Sequence, residues 1–376
     1  ALVPLCLAGA RAAAPGPPPP LGGPYCSQHG ACASCVREPA WVHSCQWCAA
    51  DQRCYYWGNP CGANRTVTNA SLCPAPTPAR TSFSTGEAYG MLLHSNAVYY
   101  DDPIAKGVLP PSFRLNKSMK YSIGMWQDAF AYVGVDDGSG RVVVAFRGTL
   151  TWTQLFDELL QHALVNVTWA PQPDALLNEY FVWAVDSLWG NLSGALTDIQ
   201  RTHPGYEVWF TGHSLGGAMA TITAHRAAEM LARPPVVYTF GQPRTSNAAF
   251  ARLLDHSLPR YFRVTNGGDP VPDVPGCTYS SNGTCMATPT GYHHAGTEIW
   301  FPKGDYQNGV MCGYRECTGE PKAEDYACGQ ASSFGSVYDH CGYFNLIPDG
   351  FCNKLGGSPA LLPPLAVGGA AETVVV

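Results

Sequence analysis

From residue 82 onward the chain alternates between two hydrophobic periods. Short runs rich in β-branched and aromatic residues, such as "YEVWFT" at Tyr206–Thr211, "VVYTF" at Val236–Phe240 and "RYFRVTN" at Arg260–Asn266, predict strands buried on one or both faces. "AFAYVGVDDGSGRVVVAFRGT" at Ala129–Thr149 predicts two strands around an Asp-Gly-Ser-Gly turn. Between these runs lie segments of helical character. "LLNEYFVWAVDSLW" at Leu176–Trp189 is apolar on most faces, good helix formers follow Ser214 as far as Met230, and "NAAFARLLDHS" at Asn247–Ser257 separates two strands. This alternation is the signature of an α/β domain. One more stretch has a clear stripe: Trp152, Leu155, Phe156, Leu159, Leu160 and Ala163 stand on one face of a helix that Thr149 or Thr151 can cap.

Composition adds compartment and size. The chain has 376 residues, 46% of them hydrophobic, enough for one large domain and a small one. Charged residues are only 13% and the net charge of −6 comes without basic runs, which argues against nucleic acid and against a polybasic membrane contact. No segment reaches the ~20 uninterrupted apolar residues of a membrane span. Sixteen cysteines and six N-x-[ST] sequons, at Asn64, Asn69, Asn116, Asn166, Asn191 and Asn282, point to the secretory route. "ALVPLCLAGARAAA" (residues 1–14) reads as the remnant of a signal peptide, with Ala10-Arg11-Ala12 as an A-x-A cleavage site. The expected product is secreted or lumenal.

A Pro-rich linker at 15–24 leads to a compact block at 25–74 that holds Cys26, Cys32, Cys35, Cys45, Cys48, Cys54, Cys61 and Cys73. So short a block buries too little apolar surface to fold unaided, so four disulfides at ~2–4 kcal/mol each are expected to hold it. The C-x-x-C pairs Cys32/Cys35 and Cys45/Cys48 also raise a zinc reading. The nine residues between the pairs are fewer than zinc ribbons usually place there, and an oxidising compartment favours disulfides. No metal or cofactor is implied. The cysteine spacing and "CQWC" resemble the PSI module of plexins, semaphorins and integrins. That resemblance implies the pairs Cys26–Cys45, Cys32–Cys73, Cys35–Cys54 and Cys48–Cys61, and a spacer role. A second linker at 75–81 precedes the large domain, 82–352, and a Pro/Gly-containing apolar tail occupies 353–376. Within the large domain Cys277 and Cys285 bracket a short loop and are disulfide candidates. Removing Cys6 with the leader leaves seven cysteines outside the small block, so at least one of them is expected to be free or to pair with another chain.

The chemistry centres on Gly212-His213-Ser214-Leu215-Gly216, a G-x-S-x-G sequence between a strand pattern and a helix pattern. There a serine can be held in a strained turn with its hydroxyl projecting from the sheet. An acid is expected after a later strand, where "NGGDPVPD" offers Asp269 and Asp273. A histidine should come last, and His293, His294 and His340 all qualify. The backbone of Leu215, at the helix start, and Thr149, after the strand ending "AFRGT", can supply an oxyanion site.

Those residues carry a second resemblance. "AFRGT", "TGHSLGGAMA", "TFGQPRTSN", "NGGDPVPDVP" and "GYHHAGTEIWF" occur in the order used by the fungal-type class 3 lipases. The resemblance implies an α/β-hydrolase fold with a mostly parallel central sheet. It implies Ser214 as nucleophile, Asp269 as acid, His294 as base, and Thr149 with Leu215 as the oxyanion hole. His294 takes the base role because it stands four residues before Glu298, as the family's histidine usually does. The helix bearing Trp152, Leu155, Phe156 and Leu159 stands where these enzymes carry a lid. Two departures concern specificity: "LLNEYF" replaces a common Gly and His, and Gln154-Leu155 replaces a common Asn-Trp. The implied activity is hydrolysis of lipid esters at a lipid–water interface. Phospholipase A1, galactolipase or feruloyl-type esterase are alternatives on the same machinery. A silent hydrolase fold in an adhesion or receptor protein is the alternative of another class.

Overall fold

The computed structural model of the protein describes most of residues 83–345, together with residue 36 and three short strands before them; the gaps within 83–345 fall at 106, 124–126, 150–162, 171, 173, 280–284, 303–305, 308–309, 312, 318–322, 326–327 and 329–336. Chain contacts form two units, one covering Arg11–Arg80 and one holding Thr81–Val376. In the first, Gln46–Cys48 pairs antiparallel with Arg53–Tyr55 on one side and Thr66–Val67 on the other. The side chains of the eight cysteines there, the leader, both linkers and the tail lie outside the described residues, as do Asn64, Asn69 and Asn282.

The larger unit is built on a mixed sheet of eight strands. In chain order they are β1 (Phe113–Ile123), β2 (Gln127–Asp136), β3 (Arg141–Phe146), β4 (Glu207–His213), β5 (Val236–Phe240), β6 (Arg260–Asn266), β7 (Thr297–Phe301) and β8 (Arg315–Cys317). Each lies beside its sequence neighbour, so the spatial order repeats the chain order. The expected mostly parallel sheet is parallel across β3–β4–β5–β6–β7 and antiparallel at its margins, where β1, β2 and β8 pair. Helices supply the crossovers that parallel strands require. α2 (Glu179–Thr202) joins β3 to β4, α3 (Leu215–Ala228) joins β4 to β5 and α4 (Ala248–Ser257) joins β5 to β6, while α1 (Thr85–Ala97) precedes the sheet and the short α5 (Val337–Cys341) follows it.

Side chains alternate across the sheet into two cores. Val142, Val144, Phe146, Val208 and Phe210 pack with α2, α3 and α4 on one face. Val143, Ala145, Trp209, Tyr238 and Phe262 pack with Ala88, Met91 and Leu92 of α1 on the other. Burial on both faces is why β3–β6 read in the sequence as nearly unbroken apolar runs. Side-chain caps set several helix starts. Ser84 accepts from the Glu87 N–H at 3.3 Å, and Asn247 accepts from Phe250 at 3.0 Å. The segment expected to be helical from Leu176 is instead a strand over Leu176–Asn178. The Asn178 side chain accepts from the Tyr180 N–H at 3.0 Å, and that cap moves the helix start to Glu179.

Disulfides join Cys277 to Cys285 and Cys317 to Cys328, and Cys341 is also disulfide-bonded. Asn116, Asn166 and Asn191 are exposed. The stripe residues Trp152, Leu155, Phe156, Leu159 and Leu160 lie outside the described residues, while Ala163 is exposed. Among the described residues no helix is long and apolar enough to cross a membrane.

Candidate active site

β4 ends at His213 and α3 begins at Leu215, so Ser214 alone makes the turn between them. It does so with φ 58° and ψ −133°, a conformation that costs a non-glycine residue ~1–3 kcal/mol. The surroundings enforce it. The Ser214 N–H donates to the Phe240 carbonyl at the end of β5 (2.8 Å). Gly212 and Gly216 cross so closely that a Cβ on Gly212 would strike the Gly216 backbone, and one on Gly216 would strike Phe146. The Ser214 hydroxyl is buried and has no hydrogen-bond partner. An unused buried hydroxyl on a strained turn is costly unless chemistry uses it.

Gly148 packs directly against this turn, so close that a Cβ there would lie 3.2 Å from the Ser214 Cβ. The next residue, Thr149, is buried with its own hydroxyl lacking a partner. Leu215 opens α3, so its N–H is one of the first-turn donors that have no acceptor within the helix. These groups sit on the two segments, after β3 and after β4, from which an oxyanion site would be drawn.

Asp269 follows β6 and is buried. Its carboxylate accepts from His340 Nδ1 (2.8 and 3.0 Å to the two oxygens), from the Tyr343 hydroxyl (2.6 Å) and from the Val271 N–H (2.9 Å). Burial and this carboxylate hold the Tyr343 phenol well above its ordinary range, so it acts as a donor. Gly241, after β5, has φ 58° and lies so close to Asp269 and His340 that a side chain there would reach both, at 2.7 and 2.8 Å. With Nδ1 facing Asp269, Nε2 is the nitrogen of His340 that can exchange a proton with a hydroxyl.

His340 is therefore the histidine of this cluster, which corrects the expectation for His294. His294 precedes β7, whereas Ser214 and Asp269 each follow a strand. Its Nε2 donates to the Pro272 carbonyl at 2.8 Å, and its own N–H donates to Glu324 at 2.7 Å. Burial, reinforced by Arg263 and Arg244, pushes its pKa well below the histidine range, the wrong direction for a proton acceptor. His293 turns away as well, with Nδ1 donating to the His294 carbonyl at 2.7 Å. Asp273, the other acid considered, is held up at about 6, chiefly by burial, and its carbonyl accepts from Arg244.

The element carrying His340 is only five residues long and is tied down from several sides. Asp339 accepts from the Gly268 N–H through its carboxylate (2.8 Å) and from the Asn266 amide through its carbonyl (2.9 Å). The His340 carbonyl lies 2.7 Å from His213 Nε2. The sequence predicts no role at the site for Tyr343, and His213 figures in it only as a position within the G-x-S-x-G motif. A signal for Tyr343 existed, since "HCGYF" places a tyrosine three residues after His340. Among the described residues no group of three metal-ligating side chains converges.

This geometry has relatives. Residues 143–279 match the family model described as Lipase (class 3). A lipase of Caenorhabditis elegans is 35% identical over 266 residues, which cover 63% of this chain and 71% of that protein. The Rhizomucor miehei lipase is 28% identical over 229 residues, 60% of this chain and 57% of that one, so the chain spans little more than half of that relative's length. Among solved structures, a triacylglycerol lipase whose catalytic centre is described as a serine protease triad is similar at a TM-score of 0.58 and 26% identity. That likeness covers 72% of this chain and 98% of the other.

Proposed function

Because the chain belongs to the class 3 lipases and so to the serine carboxylic-ester hydrolases, we propose that Ser214, His340 and Asp269 are its catalytic triad and that its substrates are acyl esters of lipids. The observation that carries this reading is the buried Asp269–His340 pair, 2.8 Å apart, at the same rim as the strained Ser214 turn. In the proposed cycle Ser214 Oγ attacks the ester carbonyl while His340 Nε2 takes its proton. Asp269, fixed by Tyr343 and Val271, holds the imidazole in the tautomer with Nδ1–H and stabilises the imidazolium. Thr149 and the Leu215 N–H hold the charge that forms on the carbonyl oxygen. The alcohol leaves with the proton from His340, and water then hydrolyses the acyl-enzyme by the same steps in reverse order.

Secretion belongs to the same proposal. The disulfides Cys277–Cys285 and Cys317–Cys328 support it, as do the exposed sequon residues Asn116, Asn166 and Asn191. The block at residues 25–74 is proposed to be a PSI-like spacer without chemistry of its own.

A fluorophosphonate probe tests the centre. The parent is expected to label stoichiometrically, and folded Ser214→Ala to lose both label and ester hydrolysis. Labelling that survives in Ser214→Ala would overturn the assignment. Substrate class is decided by offering triolein emulsion, phosphatidylcholine, galactolipid and dissolved short-chain esters side by side. Triolein is expected to be hydrolysed fastest. Preference for either polar lipid, or for the dissolved esters, would make this a phospholipase, a galactolipase or an esterase.

A further inference from the structure

Four groups form a hydrogen-bonded line around the Ser214 turn. The Gly148 backbone bonds the Tyr99 hydroxyl, and that hydroxyl lies 3.1 Å from His213 Nδ1. On the other side of the ring, Nε2 lies 2.7 Å from the His340 carbonyl. A carbonyl only accepts, so the His213 proton is on Nε2. Burial, with His340 adding to it, lowers the His213 pKa to about 3, so near neutral pH the ring is uncharged and Nδ1 is an acceptor. Tyr99 must then donate to it, and the line runs one way: Gly148 to Tyr99 to His213 to the His340 backbone.

Each end of the line belongs to a different part of the proposed machinery. Gly148 precedes Thr149, His213 precedes Ser214, and the accepting carbonyl is that of His340 itself. We propose that Tyr99 and His213 are positioning residues that hold the oxyanion segment, the nucleophile turn and the base in register, His213 acting through the His340 backbone and not on substrate. This inference rests on the function proposed above.

Two physical demands make such a strut necessary. A helix of five residues does not hold itself together in water, so outside tethers decide where its histidine stands. Displacing a reacting group by about 1 Å can cost ~10²-fold in rate. The strut must also be uncharged. The His213 and His340 rings are 4.5 Å apart, and His340 becomes an imidazolium when it takes the serine proton. A tethering lysine or arginine in that place would oppose the step that the neutral imidazole permits. If His213 only filled space, activity per folded molecule would not depend on its hydrogen bonds.

The test uses the full chain and p-nitrophenyl butyrate, with kcat and KM measured separately and the folded fraction taken from urea unfolding. Folded His213→Leu is expected to lose ~10²-fold in kcat while KM stays within ~3-fold. His213→Gln keeps an amide donor at similar reach and is expected to recover kcat to within ~10-fold of the parent. Tyr99→Phe removes only the upstream donor and should lower kcat by ~10-fold at unchanged KM. Parental kcat in folded His213→Leu, or a glutamine variant no better than the leucine one, overturns the inference. Should His213→Leu not fold, parental kcat in Tyr99→Phe overturns it instead. Absence of Ser214-dependent hydrolysis in the parent would sink the functional reading and this inference with it, whereas parental kcat in the variants sinks this inference alone.

Discussion

At the scale of single residues, the two histidines His294 and His340 separate chemistry from structure. Both are buried, yet their partners differ in kind. His340 meets a carboxylate that can hold an imidazolium, and His294 meets the Pro272 carbonyl and the Glu324 side chain. His340→Ala is expected to cost at least ~10³-fold in kcat per folded molecule, as loss of a triad member does. His294→Ala should act on stability and not on the chemistry. It leaves the buried Pro272 carbonyl unpaired, at about 1–3 kcal/mol, with kcat per folded molecule reduced by less than ~10-fold. Urea unfolding and steady-state kinetics on the same preparations check both halves. The opposite ranking would restore His294 as the base.

At the scale of elements, the loop that follows β6 and carries Asp269 depends on a buried ion pair. Arg244 and Glu324 have fully buried side chains and meet through two bonds, Nε to Oε1 at 2.9 Å and Nη2 to Oε2 at 2.8 Å. Arg244 also donates to the Asp273 and Pro275 carbonyls, and Glu324 accepts from the His294 N–H. The pair thus fastens the acid loop to the segment before β7. Burial favours the neutral acid, but Arg244 outweighs it and holds the Glu324 carboxyl far below its ordinary pKa. Removing one partner strands a buried charge, so Glu324→Leu is expected to cost ~3–5 kcal/mol. Arg244→Met with Glu324→Leu should cost less than the sum of the single changes, because no unpaired charge remains. Urea unfolding of the four proteins closes the cycle, and simple additivity would show that the two residues act independently.

At the scale of the whole molecule, several buried histidines set the response to acid. Burial lowers His94 and His213 to about 3 and His225 to about 4, from an ordinary value of 6.5, and His294 is lowered as well. Between pH 6.5 and about 4 the unfolded chain therefore binds protons at these four sites that the native protein does not. Asp273 works the other way, since burial raises it from 3.8 to about 6 and the native state holds its proton first. Four sites against one leaves the unfolded state binding more protons, so native stability rises with pH across this window and falls on acidification. Each net proton contributes roughly 1.4 kcal/mol per pH unit. Thermal unfolding at pH 7, 6, 5 and 4 should show a progressive fall in Tm. A flat profile would mean that these histidines titrate normally in the native state.

Much of this is legible in the sequence, and what is legible is local. β3 to β6 announce themselves because burial on both faces demands continuous apolar runs. The Ser214 turn is legible because a strand-to-helix reversal at a serine needs the flanking glycines within five residues. The five ordered motifs carried the family. What stayed hidden depends on contacts across the chain. No local pattern distinguishes His294 from His340, because the base is defined by meeting Asp269, and His340 does so from 71 residues away. β1 and β8 form the antiparallel margins of the sheet, where partial exposure breaks the apolar run that marks a central strand. α2 begins at Glu179 because a side-chain cap at Asn178 overrides the apolar pattern before it. β2 to β6, the nucleophile turn and the chemistry available can be read from the chain alone, since each is written in neighbouring residues. Which histidine faces the acid, and how Tyr99 and His213 reach that histidine, is settled on folding, because a hydrogen bond is a matter of distance in space and the chain specifies that distance only once it has folded.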